Sequence, residues 1–280
     1  MRVFLLTAFA LTAFAFNSIL CRMALTTGEI DAASFTAIRL ISGTAMLATL
    51  LLATGKTQKL GTNGNWASAL FLFAYAIAFS FAYVGLTTGT GALILFGSVQ
   101  LTMFGVSLYR GVRPATLEWL GLAVAFVGLI YLVLPGLAAP PPLNALLMAA
   151  AGTAWGFYTL RGKGSEDPLA DTAGNFLRSV PMVVAAGIVF LSTIHLSLRG
   201  AMLAVVSGAI ASGIGYSVWY TALKYHTATR TGILQLSVPV LAAIGGILLL
   251  AETASTRLFI AGALVLGGIA LTFLDQNKVR

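Results

Sequence analysis

The sequence predicts an all-α polytopic membrane protein, ten transmembrane helices arranged as two inverted five-helix repeats. Three observations carry that prediction. Only 9% of the 280 residues are charged and 59% are hydrophobic, whereas a soluble chain carries about 25% charged residues. The charge that remains sits in short breaks between apolar runs of about 20 residues, the length a helix needs to cross ~30 Å of hydrocarbon. The second half of the chain also faintly repeats the first, with an odd number of helices per copy. The two copies must therefore enter the membrane in opposite senses, a mark of transporters.

The elements follow in order. The opening MRVFLLTAFALTAFAF has the basic start, apolar core and Ala-Phe-Ala sites of a secretory signal. Its apolar run continues to Leu25, however, and has a counterpart in the second half, so it reads as a first helix over 3–25. Spans 33–54, 65–86, 90–109 and 115–134 complete a first unit, 1–136. The linker PGLAAPPP at 135–142 carries prolines that stop helix continuation. A second unit, 141–280, holds spans 143–161, 171–194, 200–223, 229–250 and 256–275.

The repeat is clearest where YVGLTTGTGALILFGSVQL (83–101) lies over YTALKYHTATRTGILQLSVPVL (220–241). Tyr83 then matches Tyr220, Ser98 matches Ser237, and outside this stretch Arg22 pairs with Arg161, Arg39 with Arg178, and Thr116 with Thr256. With the N-terminus on one side, that side takes all of the 16 Lys and Arg except Arg22, Arg39, Arg199 and Arg257. The basic side is expected to be cytoplasmic, with both termini there. The same rule accounts for the net charge of +8 without nucleic acid. Cys21, the single cysteine, lies inside an apolar run and reads as a structural, unreactive thiol.

Polar side chains at membrane depth are expensive against lipid and are expected to face a cavity or a neighbouring helix. Tyr75, Phe79 and Tyr83 recur at i, i+4, i+8 and share a helix face; Ser212, Tyr216 and Tyr220 repeat the spacing on the eighth span. Asn17, Gln100, Trp155, Tyr158 and Gln235 add polar groups on four further spans. These residues, Ser212 aside, are the candidate substrate site: Phe79 offers an apolar wall, and the tyrosine hydroxyls and Gln100 orient polar ends. Tyr83, Trp219 and Tyr220 lie close enough to helix ends to form an interfacial belt instead. Ser18 and Ser98 suit hydrogen bonds between helices, roughly 0.6 kcal/mol each. Gly152 and Gly156, spaced GxxxG, suit close helix approach. Arg39 and Arg178 lie about two turns into their helices and are expected to snorkel to the headgroups, which argues against an anionic substrate.

Enzymatic chemistry finds little support. The two histidines, His195 and His226, fall near loops on opposite sides, and neither an HExxH motif nor paired buried aspartates occur, so no nucleophile–base pair or metal cluster is expected. No metal or cofactor is implied. A passive channel would show a continuous polar path, which the aromatic-rich spans do not suggest. All eight acidic residues fall in or beside predicted loops, which favours a facilitator over a proton-coupled carrier.

Ten spans in inverted halves, an Arg early in the second helix of each half (Arg39, Arg178) and a Glu after the ninth, in LAETAS (Glu252), resemble the drug/metabolite transporter superfamily, EamA type. The aromatic third and fourth spans resemble most its bacterial aromatic amino acid exporters. One position departs from the two-fold pattern: Val112 stands where the second half has Glu252. The resemblance implies a multi-pass protein of the bacterial inner membrane whose spans 1, 3, 4, 6, 8 and 9 surround a central cavity. It implies export by alternating access of amino acids with aromatic or large neutral side chains and related amphipathic metabolites, the protein being a monomer or weak dimer in the bilayer. A proton-coupled multidrug or metabolite effluxer of broad range is the alternative.

Overall fold

The computed structural model describes residues 2–111, 116–134, 136, 139–225, 234–253 and 255–274. Within these, ten helices are present: α1 (Arg2–Thr26), α2 (Ala32–Ala53), α3 (Trp66–Tyr83), α4 (Thr88–Tyr109), α5 (Thr116–Val133), α6 (Pro142–Gly162), α7 (Pro168–Val189), α8 (Leu198–Leu223), α9 (Ser237–Leu250) and α10 (Thr256–Leu274). Seven of them, α1 to α5 with α7 and α8, are long and apolar enough to cross a membrane. The helix α6 is not one of the seven. Asn144, Thr153, Thr159 and Arg161 dilute its apolar character, and it packs between α3 and α4 inside the bundle. Val112, His226 and the start of the predicted ninth span lie outside the described residues.

Local chemistry sets several of the boundaries. Asp31 caps α2 by accepting from Ser34 N–H, and Asn65 caps α3 through Ser68 N–H, each at 2.8 Å. These side chains satisfy donors that a helix start leaves unpaired. The seventh span begins earlier than predicted, at Pro168. Its cap is Asp167, whose carboxylate accepts from Ala170 N–H, and proline is well placed at a first helical position. It also ends earlier, at Val189, where a 3-10 turn over Leu191–Thr193 takes over.

The packing scheme is symmetric under exchange of the two halves. The helix α3 packs on α6, as α8 packs on α1; α4–α6 corresponds to α9–α1, and α3–α7 to α8–α2. The contacts α2–α7, α4–α9 and α5–α10 map onto themselves. Helices α5 and α10 form an outer pair close enough that a Cβ on Gly268 would press on the α5 backbone at Gly121 and Ala125. Large side chains such as Leu146, Ile188, Val189 and Leu248 face outward, as a lipid-facing surface requires.

Helix ends gather on two opposite faces. On one, which carries the lysines, Lys56 and Lys59 reach Asp167 at 3.1 and 2.9 Å. There Arg161 bonds Ser68 and Asn65, and Asp171 accepts from Asn63, Gly64 N–H and Ser165. On the other face, Glu252 accepts from Thr88 N–H at 2.9 Å, capping the start of α4, and pairs with Arg22 at 3.3 Å. Arg22 also donates to the Tyr83 and Val84 carbonyls at the end of α3. Ile30 and Leu196 form a short antiparallel bridge nearby. In this conformation side-chain and backbone bonds tie the helix ends together on both faces.

Candidate functional site

A cavity lies at the centre of the bundle, between those two tied faces. It is lined by Phe14 and Asn17 of α1, Tyr75 and Phe79 of α3, Leu95 and Phe96 of α4, Trp155 of α6 and Tyr216 of α8. In this conformation it leaves a volume of about 10 Å³ for a guest, the room of a single water and far below the ~300–1,000 Å³ of sites that hold small molecules. Aromatic rings take up the rest. Trp155 lies 5.7 Å from Phe14, 4.9 Å from Tyr75 and 4.6 Å from Tyr216, centroid to centroid, within the range of favourable ring pairs. The walls are therefore mostly aromatic.

The polar groups collect at one end. Tyr216 Oη and Tyr75 Oη are 3.2 Å apart, and Asn17 Nδ2 stands 3.4 Å from both. Into this cluster comes Arg39 of α2. Its Nη2 donates to Tyr216 Oη at 2.7 Å and Tyr75 Oη at 3.0 Å, and its Nε to Ser212 Oγ at 3.0 Å. The guanidinium also lies over the rings of Phe79 and Tyr75, 4.9 and 5.1 Å from their centroids, a cation–π geometry.

The expectation that Arg39 snorkels to the headgroups is therefore overturned: the residue is 1% exposed. The reason lies in the neighbouring helix. Residues Ser207–Ile214 of α8 form a π-helical stretch, SGAIASGI, and π-bulges are frequent at functional sites. Small residues along it let α8 approach α2 so closely that a Cβ on Gly208 would collide with the Arg39 carbonyl oxygen. The same stretch presents Ser207, which donates to Asn17 Oδ1, and Ser212. Arg178 behaves differently. It is half-buried and donates to the carbonyls of Asn63, Gly174 and Gly61 at the lysine-bearing face.

Of the ten residues predicted for the site, the cavity brings together Asn17, Tyr75, Phe79, Trp155 and Tyr216. Tyr158 adjoins it through Trp155, at 5.4 Å, and leads on to Tyr220 at 5.9 Å. Tyr83 is fully buried, stacked edge-on against Phe79 at 4.7 Å, with its hydroxyl donating to the Thr88 carbonyl. The interfacial-belt reading fails for Tyr83, Trp219 and Tyr220, none of which is more than 5% exposed. Gln100 and Gln235 do not line the cavity; the amide nitrogen of Gln100 and both amide atoms of Gln235 are buried without a partner. Sequence reasoning missed Phe14, Leu95, Phe96 and Arg39. Gly152 and Gly156 fill their expected role, because a Cβ on either would press on α4 at Leu95 and Ser98 or at Thr102.

Among the described residues no group of three or more His, Cys, Asp or Glu could hold a metal ion. The cavity offers aromatic walls and hydroxyls, with one guanidinium behind the rings of Tyr75 and Phe79, a set suited to binding a molecule.

Three comparisons bear on what this arrangement is. Residues 143–274 match the EamA-like transporter family. An uncharacterized protein of Pseudomonas aeruginosa is 51% identical over 270 residues, covering 96% of this chain and 94% of its own. The crystal structure of another protein aligns with a TM-score of 0.67 at 19% identity, covering 95% of this chain and 96% of that one; at that identity the likeness shows a shared fold.

Proposed function

We propose, from the premise that this chain belongs to the EamA-like transporter family, that it exports amino acids with aromatic or large neutral side chains and related amphipathic metabolites. The observation that carries the reading is the composition of the central cavity, with rings from both halves of the chain, Leu95 beside them and polar groups clustered at one end. Such a site receives an apolar body and orients one polar group. Alternating access follows if units 1–136 and 141–280 rock against each other about the cavity. The conformation described here, tied on both faces around a cavity of about 10 Å³, suits a closed intermediate between the two open forms. The basic face is then cytoplasmic, and the membrane is the bacterial inner membrane.

The test is flux in proteoliposomes holding the purified protein, with labelled phenylalanine, tyrosine, leucine, lysine and glutamate. Saturable flux of the first three above that of the last two is the expected result. Flux equal to that of empty vesicles for the whole panel would remove the reading.

A further inference from the structure

We propose that the buried Arg39 cluster is a subsite for the carboxylate of the transported molecule, and that the carboxylate, not an α-ammonium, is what this cavity recognises. The inference rests on the transporter reading above and narrows its substrate class to organic acids with an apolar or aromatic body.

The first argument is charge. Arg39 is 1% exposed and keeps its charge at any physiological pH. None of the ion pairs among the described residues includes it. Its partners Ser212, Tyr75 and Tyr216 are neutral hydroxyls. A buried charge is ordinarily paired, and this one is not.

The second argument counts donors. Arg39 Nη1 is buried without a partner, and a guanidinium offers five N–H groups in a fixed fork. The acceptors around it are already in use. Tyr75 Oη faces Arg39 Nη2, Tyr216 Oη and Asn17 Nδ2, although a hydroxyl oxygen has only two lone pairs. Asn17 Oδ1 is taken by Ser207. The cluster is rich in donors, poor in acceptors and positive by one charge. A carboxylate has the complementary properties: one negative charge, two acceptor oxygens, and a shape that matches the guanidinium fork.

The third argument is position. The rings of Phe79 and Tyr75, over which the guanidinium lies, are themselves cavity walls. Arg39 itself stands behind these two walls rather than among the lining residues, so a carboxylate reaches it, with the rest of its molecule among Phe14, Phe96 and Trp155, only when the bundle opens. Among the described residues no Asp or Glu lines the cavity to pair with an ammonium, so the charge pairing falls to the carboxylate. A free halide shares the charge but has no body to fill the aromatic end.

The experiment uses the full chain in lipid nanodiscs and reads tryptophan fluorescence and thermal midpoint against four probes: 3-phenylpropionate, L-phenylalanine, L-phenylalaninamide and sodium chloride. The two carboxylates are expected to saturate at similar concentrations and the amide to need about tenfold more, a loss in the range for one charge-assisted bond. Arg39→Lys, which keeps the charge and loses the fork, weakens 3-phenylpropionate about tenfold. Arg39→Met removes the difference between acid and amide. The acid–amide comparison on the unaltered protein stands even if a variant does not fold. Equal binding of acid and amide, no response to either carboxylate at millimolar concentration, or saturation by chloride alone would each overturn the subsite. Flux measured separately keeps the two readings apart. Flux that ignores both Arg39 variants removes the subsite and leaves a transporter. Carboxylate binding without flux of any probe removes the transporter and leaves the subsite.

Discussion

Arg39 and Arg178 occupy matching places in the two halves, each early in the second helix of its unit, and they end in different surroundings. Arg178 finds three backbone carbonyls at the lysine-bearing face, because the chain at Gly61 and Asn63 runs past the side of α7. Its charge is shared with oxygens and is half-exposed. Arg39 finds only hydroxyls in the middle of the bundle, because α8 rather than a loop lies against it. The difference teaches that a repeat fixes where a side chain starts but not what it meets. Arg178 is a strap within the fold, whereas Arg39 is an unbalanced charge beside a cavity.

The strongest way to break the comparison is to push α8 away from α2. Gly208→Ala places a methyl in collision with the Arg39 carbonyl oxygen and Ser42 Oγ; the hydroxyl can rotate aside, but the backbone oxygen cannot. Overpacking a dry helix contact costs typically 1–3 kcal/mol, and a clash with backbone belongs at the upper end, about 3 kcal/mol. The thermal midpoint in detergent should fall sharply, and Arg39 should lose Ser212. An unchanged midpoint would mean that the two helices are not so close.

Next in size is the pair of methionine variants. Arg178→Met leaves three carbonyls short of a donor in a half-buried site, and a loss of about 1–2 kcal/mol is expected. Cysteine placed at Thr62 should then react faster with a thiol reagent. Arg39→Met, in contrast, should leave the thermal midpoint unchanged or raised. It replaces an uncompensated buried charge with an apolar chain, and the Tyr75 and Tyr216 hydroxyls can still bond each other. If both variants destabilise equally, Arg39 is a strap as well.

Much of this was legible in the sequence, for a physical reason. Lipid leaves only helices of a given length as an option, so the spans and the paired halves could be read from composition. The caps at Asp31, Asn65 and Asp167 could be placed only with side-chain partners in view. The cavity was legible where polarity signalled it: Asn17, Tyr75, Trp155 and Tyr216 stand out in apolar helices. Phe14 carries no such signal, being one phenylalanine among several in α1. Gln100 and Gln235 stand out equally, yet polarity shows only that a side chain avoids lipid, not which neighbour it meets. Arg39 was misplaced because its distance from the helix end permits snorkelling. The run SGAIASGI held the missing clue: small residues that admit a close neighbour and deny Arg39 a path outward.

A smaller effect is expected from the lysine-bearing face. Partial burial raises the Asp167 carboxyl, but hydrogen bonds from Lys59, Lys56 and Ala170 N–H outweigh it, and the group titrates below its ordinary value of 3.8. The lysines are nearly half exposed, so the pairs contribute less than about 1 kcal/mol. Because the folded carboxyl is the stronger acid, this contribution is full above pH 3.8 and fades as pH falls through the lower folded value. Asp167→Asn should lower the midpoint slightly at pH 7 and by progressively less under acid. A deficit that persists at pH 3 would assign the residue some role other than charge.

The smallest effect, none at all, is expected from a proton gradient, and it turns the contrast between the faces and the core into a statement about energy. Carboxylates sit at both faces: Asp167 and Asp171 among the lysines, Glu29, Asp31 and Glu252 opposite. Each holds helix ends together. Among the described residues the cavity's lining has no Asp, Glu or His, and the cation beside it, Arg39, does not titrate. A proton-coupled carrier needs a group that gains and loses a proton as the site faces each side in turn, and nothing lining this cavity can do so. Substrate should therefore run down its own gradient. In proteoliposomes, imposing a proton gradient should not change the final distribution of phenylalanine, a zwitterion that does not cross the bilayer as a neutral acid, once the membrane potential is clamped, and a protonophore should change nothing further. Accumulation above equilibrium that collapses with the protonophore would contradict this. The search for the coupling group would then begin at Asp171, whose bonds to Asn63, Gly64 and Ser165 hold the lysine-bearing face closed and would loosen if it were protonated.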